Sequence, residues 1–165
     1  MNPSEQILCK IITPHALPTL LQKWQGEKVV FTNGCFDIIH RGHIDYLAKA
    51  KALGTKLFVG INTDSSVSTL KGSHRPLQDE QSRLQIMAAF FFVDAVMLFN
   101  EDTPFNLIKS IQPDVLVKGG DYIPENIVGF DIVTEKGGLV TTIPFLPGYS
   151  TSGIERKIIL VHSSK

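Results

Sequence analysis

From residue 28 onward, two kinds of apolar run take turns along the chain, and this alternation constrains the fold more than any other sequence feature. Short runs rich in β-branched and aromatic residues read as strands buried on both faces. They are residues 28–32 (KVVFT), 56–61 (KLFVGI), 95–99 (AVMLF), 114–118 (DVLVK) and 139–143 (LVTTI). Between them, apolar residues recur at helical spacing. Residues 42–53 carry Ile44, Leu47 and Ala48 on one face, with Gly54 as the expected C-terminal cap. Residues 81–91 carry Leu84, Met87, Ala88 and Phe91; residues 104–111 open with Thr103 as cap and Pro104 at the first helical position. Residues 125–135, closed by Gly137 and Gly138, and residues 150–160 also read as helical. Residues 62–78 are polar, hold Gly72 and Pro76, and read as a long loop or a broken element. This order predicts an α/β fold: a Rossmann-like, doubly wound, parallel five-stranded sheet with helices on both faces. Residues 13–25, with Leu17, Leu20, Leu21 and Trp24, read as a short amphipathic helix. The expected organisation is therefore an N-terminal helical arm, 1–27, and one domain, 28–165.

Composition narrows the partners. Hydrophobic residues make up 43% and charged residues 19%, which excludes a disordered chain. Sixteen basic residues balance sixteen acidic ones, so no global field exists to hold nucleic acid or a membrane, and an anion site must be local. Cys9 and Cys35 cannot make a disulfide framework or, alone, a zinc knuckle. The most apolar run, residues 86–93, is too short to span a bilayer and ends at Asp94. Residues 1–10 lack a signal-peptide pattern, so the expected location is the cytoplasm.

In doubly wound sheets, ligands bind beyond the carboxyl ends of the strands. That rule marks residues 32–43, 62–75, 118–122 and 147–152. In the first, a strand ends in Asn33-Gly34 and a helix starts near Gly42, where backbone N–H groups and the helix dipole favour phosphate. His40 and His43 can share one side of the first turn and donate to oxygens that gain charge during phosphoryl or nucleotidyl transfer. A metal pair lacks a third ligand nearby, and two plain surface histidines are the bland alternative. Neither a Walker loop nor Gly-x-Gly-x-x-Gly occurs. Lys71 could close on phosphates or be an ordinary solvated lysine. The chain has four arginines, Arg41, Arg75, Arg83 and Arg156, all in or near the marked segments; Arg75 and Arg83 suit bidentate phosphate contact. Asp37 suits sugar hydroxyls or a helix cap, and Asp94, before the third strand, suits a turn. Gly119-Gly120 would let a base lie against the backbone, with Asp121 on the ribose; a plain glycine turn is the alternative. Ser150-Thr151-Ser152 precede the final helix, where simple caps are the bland alternative. Cys35 reads as a small apolar residue and Phe90-Phe91-Phe92 as core or interface.

Thr32-Asn33-Gly34-Cys35-Phe36-Asp37 followed by His40-Arg41-Gly42-His43 resembles the signature of the nucleotidyltransferase superfamily marked by His-x-Gly-His. Lys71-Gly72, Arg75-Pro76, Arg83, Val93-Asp94, Glu101-Asp102-Thr103-Pro104 and Val117-Lys118-Gly119-Gly120-Asp121-Tyr122 narrow it. From Lys28 on, the chain is similar to the adenylyltransferase half of ADP-heptose synthases. The resemblance implies transfer of AMP from ATP to D-glycero-β-D-manno-heptose 1-phosphate for the lipopolysaccharide core, by direct attack on the α-phosphorus. It implies His40, His43 and Lys71 as catalytic residues. It assigns nucleotide binding to the two histidines with Thr32, Asn33, Gly34, Phe36, Gly42, Lys118, Gly119, Asp121, Ser150, Thr151 and Ser152. It assigns sugar-phosphate binding to Asp37, Asn62, Arg75, Arg83 and Asp94. Mg²⁺ would ride on the phosphates with no protein metal site, and a homodimer is expected. The sugar kinase that such synthases often carry has no room before Lys28 and is expected on another polypeptide. One departure is Glu155, where the superfamily has a basic residue; Arg156 or Lys157 would substitute. The rivals are a cytidylyltransferase acting on glycerol 3-phosphate or another small phospho-alcohol, and an ATP-binding regulator without chemistry. Lys118-Gly119-Gly120-Asp121-Tyr122 argues against the first, and intact His40, Gly42 and His43 against the second.

Overall fold

The computed structural model describes residues 1–163. Its strands are β1 (Val29–Gly34), β2 (Lys56–Asn62), β3 (Ala95–Phe99), β4 (Val115–Gly119) and β5 (Leu139–Ile143), in the order β3-β2-β1-β4-β5. All neighbours are parallel. The helices are α1 (Pro3–Leu8), α2 (Leu17–Lys23), α3 (Arg41–Lys51), α4 (Asp64–Lys71), α5 (Glu80–Ala89), α6 (Phe105–Ile111), α7 (Phe130–Glu135) and α8 (Thr151–Ser163), with a 3₁₀ turn at Pro124–Asn126.

Alternate strand residues feed two separate cores. Phe31, Phe58, Met97 and Leu116 pack with Leu17 and Trp24 around α2, Leu107, Ile108 and Ile111 of α6, and Val133 of α7. Val30, Val59, Ile61, Val96 and Val117 pack on the other face with Tyr46, Leu47 and Ala50 of α3 and Leu84, Met87 and Ala88 of α5. A sheet covered on both sides must be apolar on both, which is why its strands read as continuous rather than alternating runs.

The registers are unequal. β1 and β2 pair from Val29–Lys56 through Gly34–Ile61, and β4 and β5 from Val115–Leu139 through Gly119–Ile143. β1 and β4 pair only at Val30–Val115 and Phe31–Leu116. Their carboxyl halves are unpaired, and a crevice opens where the strand order reverses. At the outer edge of β3, Ile12 N–H donates to the Val96 carbonyl and Val96 N–H to that of Lys10, both at 2.8 Å. This cover protects an edge that would otherwise be open to pairing.

Four local expectations are corrected. α1 is an additional helix, stabilised by a capping box between Asn2 and Glu5 with Pro3 at its start. Residues 62–78 are not simply a loop: Thr63 caps α4 by accepting from Ser66 N–H at 3.3 Å, and Ser66 and Val67 are buried. Ser, Thr and Val are weak helix formers, so cap and burial rather than propensity make this helix. The expected helix over 125–135 is interrupted at Gly129, whose φ is 93°, and α7 starts only after it. Gly54 is not the cap of α3, which ends at Ala52 in the right-handed region. Glycine is required there by proximity: a Cβ would stand 2.5 Å from the Lys28 carbonyl oxygen, where β1 begins. Gly54→Ala is therefore expected to cost about 1–3 kcal/mol of stability by overpacking, read as a lower midpoint in thermal or urea unfolding.

Candidate active site

The crevice between β1 and β4 has a polar floor. Tyr46 of α3 reaches into it, its hydroxyl 2.6 Å from that of Thr32 and donating to the Val117 carbonyl at 3.2 Å. Burial raises the Tyr46 phenol well above its ordinary value, against a smaller opposite effect of Thr32, so it stays protonated. Above this floor lies a cavity of about 430 Å³, lined by the ends of β1 and β4, the N-terminal ends of α3 and α8, and Lys71 at the end of α4.

His40 caps α3. Its Nδ1 accepts from Gly42 N–H at 3.1 Å, and His43 Nδ1 accepts from His40 N–H at 3.4 Å. With both Nδ1 atoms accepting, each neutral ring carries its hydrogen on Nε2. The rings stack with centroids 3.9 Å apart. Gly42 leaves room for them: a Cβ would meet the His40 ring at 3.0 Å and Tyr149 Cβ at 3.2 Å. Burial, then the neighbouring His40 and Lys71 charges, push His43 down to about 4; burial lowers His40 as well. At neutral pH the pair is two uncharged Nε2–H donors at a helix N-terminus. Phe36, at φ 49°, sets its ring edge-on to His43 at 5.5 Å. A left-handed backbone at a bulky residue is strained, and here it shapes the site.

The carboxylate lining the cavity is fully engaged. Asp37 accepts from Leu77 N–H, Gln78 N–H and Arg75 Nη1, at 2.8–3.0 Å. Burial alone would raise it, but these donors prevail and hold it below the usual carboxylate value. Arg75 also pairs with Glu155 of α8 and is nearly buried between its two partners. Glu155 thus has a structural answer in this chain: it draws α8 toward the turn after β1. Arg41 makes a second tie, stacking 5.5 Å over the Tyr149 ring and donating to its hydroxyl at 3.1 Å. Ser150 Oγ accepts from Gly153 N–H at 3.0 Å and so caps α8.

Of the expected residues, the structure brings Asn33, Gly34, Phe36, Asp37, His40, Gly42, His43, Lys71, Lys118, Gly119, Ser150 and Thr151 to one cavity. Thr32 lies beneath it, bound to Tyr46. Asp121 and Ser152 are exposed outside its lining, as are Arg156 and Lys157. Three substrate assignments are corrected. Arg83 has no exposed surface; it donates to the Cys35 and Gln78 carbonyls and to Asp64, with all three nitrogens spent inside the fold. Asn62 is buried and donates to Ser66 Oγ. Asp94 lies at the opposite, amino edge of the sheet, accepting from Lys51 and Leu57 N–H. Tyr46, Tyr122, Phe145, Leu146 and Tyr149 also line the cavity and were missed as site residues. Tyr122 and Tyr149 stood within or beside marked segments, but an aromatic carries no charge pattern to single it out. The Phe145 ring covers Gly119 and Gly120, where Cβ atoms would meet it at 2.7 and 2.9 Å.

Among the described residues, no group of three or more His, Cys, Asp or Glu is placed to hold a metal ion.

The sequence model of the cytidylyltransferase-like family matches residues 31–156. The chain is 50% identical over 144 residues to the bifunctional protein HldE of Geobacter metallireducens, covering 87% of this chain and 29% of that protein. It is 54% identical over 135 residues to HldE of Citrifermentans bemidjiense, covering 82% and 28%. The chain thus spans under a third of the length of these relatives. A lipopolysaccharide core biosynthesis protein from Thermoplasma volcanium superposes with a TM-score of 0.59 at 30% identity, covering 73% of this chain and 98% of that one. Pantoate–β-alanine ligase from Francisella tularensis shares the fold at a TM-score of 0.56 and 14% identity, over 88% and 75%.

An NMR titration of His43 is expected to show a midpoint near pH 4 instead of the ordinary 6.5. An unfolded histidine takes its proton first, so His43 makes stability fall as pH drops from about 6.5 to about 4. Arg83→Met, which strands two half-buried carbonyls and the Asp64 carboxylate, is expected to cost about 2–4 kcal/mol in chemical denaturation.

Proposed function

This chain belongs to the cytidylyltransferase-like family, and we propose that it is an adenylyltransferase. It moves AMP from ATP to D-glycero-β-D-manno-heptose 1-phosphate, giving ADP-heptose and pyrophosphate for the lipopolysaccharide core. The observation that carries the reading is the pair of neutral imidazoles at the start of α3, both with Nε2–H donors, at a crevice of nucleotide size. The 50% identity to HldE and the 30% identity to a lipopolysaccharide core biosynthesis protein support the choice of sugar.

In this reading, an oxygen of the sugar phosphate attacks the α-phosphorus of ATP. The new P–O bond forms as the bond to the β-phosphate oxygen breaks, and the electron pair leaves with pyrophosphate. Alignment and charge stabilisation suffice, without a covalent intermediate. His40 and His43 donate to oxygens that gain charge. Lys71, exposed at the end of α4, swings onto the phosphates. Ser150, Thr151 and the first N–H groups of α8 receive the outer phosphates. The base lies by Gly119 and Phe145, with Asp121 near the ribose. Asp37, held in place by Arg75, walls the acceptor side. Mg²⁺ bound to the triphosphate neutralises its charge.

We place the enzyme in the cytoplasm; no helix among the described residues is long and apolar enough to cross a membrane. We place the sugar kinase outside residues 28–165. The exposed Ile158, Ile159 and Val161 on α8 fit a homodimer. The family's cytidylyltransferase-like description favours one second reading, CTP with glycerol 3-phosphate or another small phospho-alcohol.

A matrix of ATP and CTP against heptose 1-phosphate and glycerol 3-phosphate, with Mg²⁺ and pyrophosphate as readout, tests this. Release only with ATP and heptose 1-phosphate is expected. Release only with CTP establishes the second reading, and binding of ATP without release in any well leaves a nucleotide-binding regulator. His43→Ala is expected to lower kcat by about 10²–10³ with little change in the KM for ATP, as for loss of one transition-state donor.

A further inference from the structure

We propose that Lys118 is the phosphate ligand on the floor of the pocket. It receives a non-bridging phosphate oxygen, either of the α-phosphate of ATP or of the acceptor's phosphate monoester. The inference rests on the nucleotidyl-transfer reading and deepens it by separating this lysine from the base and ribose contacts of its glycine-rich neighbours.

Lys118 sits near the end of β4, paired on one side to Thr142 of β5. On its other side β1 has already parted, and Lys118 is among the residues that line the crevice opened there. Its ammonium crosses the gap and donates to Asn33 Oδ1 at 2.8 Å. Asn33 is neutral, and an ammonium has three hydrogens to place. Among the described residues, no carboxylate lies within ion-pair distance of Lys118. The acid lining the cavity, Asp37, is already claimed by Arg75 and two backbone N–H groups.

A cation held away from bulk water without a counter-charge is costly, and structures keep one where a ligand supplies the anion. Burial pulls the Lys118 ammonium below its ordinary value, with the Cys35 thiol acting the other way. A bound phosphate would reverse that pull. The surroundings sharpen the assignment. Arg75 and Arg83 are spent on internal partners, and both histidines are neutral. The cavity lining therefore offers two lysines as its cations: Lys71, exposed at the rim, and Lys118, half-buried on the floor. A mobile rim lysine can follow the outer phosphates. The fixed one on the floor suits a phosphate whose position must not vary.

The test uses the full chain with Lys118→Met, which keeps the stem and removes the charge, and Lys118→Gln, which retains a donor for Asn33. ATP affinity is measured by calorimetry without acceptor, and the KM of heptose 1-phosphate at saturating ATP. Both variants are expected to unfold at or above the wild-type midpoint, because an unpaired half-buried charge has gone. Both are expected to lose about tenfold or more in one arm. Loss in the ATP arm identifies the α-phosphate, and loss in the acceptor arm the monoester. ATP and acceptor parameters within twofold of wild type in both variants overturn the proposal. So does a loss in Met that Gln restores, since that would mean only the Asn33 contact matters. Lysine acylation of the wild-type protein, mapped by mass spectrometry, needs no variant. ATP or the sugar phosphate should protect Lys118, and unchanged labelling under both also overturns it. If no acceptor supports turnover, the adenylyltransferase reading fails, while calorimetry with ATP and protection by ATP or by the sugar phosphate still judge Lys118.

Discussion

The parting of β1 and β4 after Phe31 and Leu116 is the constraint on which the rest of the molecule depends. Parallel strands that stop pairing leave backbone groups to be satisfied in some other way, since buried polar groups without partners are expensive. Tyr46 supplies part of the answer, linking the Thr32 hydroxyl of β1 to the Val117 carbonyl of β4. The same contact fastens α3 over the opening. With Tyr46 seated, the first turn of its helix stands at the mouth of the crevice, and His40 and His43 stand there with it. Sheet topology, helix position and the orientation of the imidazoles are thus successive results of one gap.

Around the cavity, charge is distributed so that Arg75 and Arg83 build the walls while Lys71 and Lys118 line the opening. Arg83 joins the turn after β1 to the start of α4 and the loop before α5. Arg75 joins Asp37 to Glu155 and so brings α8 to the same turn. A planar guanidinium with five donors suits such multi-point work, and losing one partner of a buried pair is far more costly than losing a surface pair. The segments that carry the site are loops and helix ends, which have few apolar contacts of their own. These ionic ties give them a fixed geometry.

Much of the fold was legible because the strands are β-branched and the helices between them keep a 3.6-residue period. The sheet's parallel order and two-sided cover came from the alternation alone. α4 was not legible: Asp64–Lys71 is rich in serine and threonine, and its cap, the burial of Ser66 and Val67 and the Arg83–Asp64 pair hold it in a helix. The His40–His43 pair could be read because strand end, glycine and helix start coincide there. The roles of Arg75 and Arg83 could not, because a group suited to phosphate is equally suited to carbonyls and carboxylates. Asp94 is a different lesson. A residue that precedes a strand lies at the amino edge of a parallel sheet, away from the ligand crevice, and that rule would have removed it. The aromatic lining, Tyr46 and Phe145 above all, comes from distant elements, and no local pattern connects them.

Under the proposed function, the neutrality of the two stacked imidazoles reaches past the reacting step to the departure of product. A wall of cationic side chains would steady a polyanionic leaving group and then retain it as an ion pair. His40 and His43 present directed dipoles and no net charge. In the proposed reaction, pyrophosphate beside them is held by directed donors, and the long-range attraction at the cavity comes from Lys71 and Lys118. The depressed basicity of this helix cap is, in that sense, a provision for letting go.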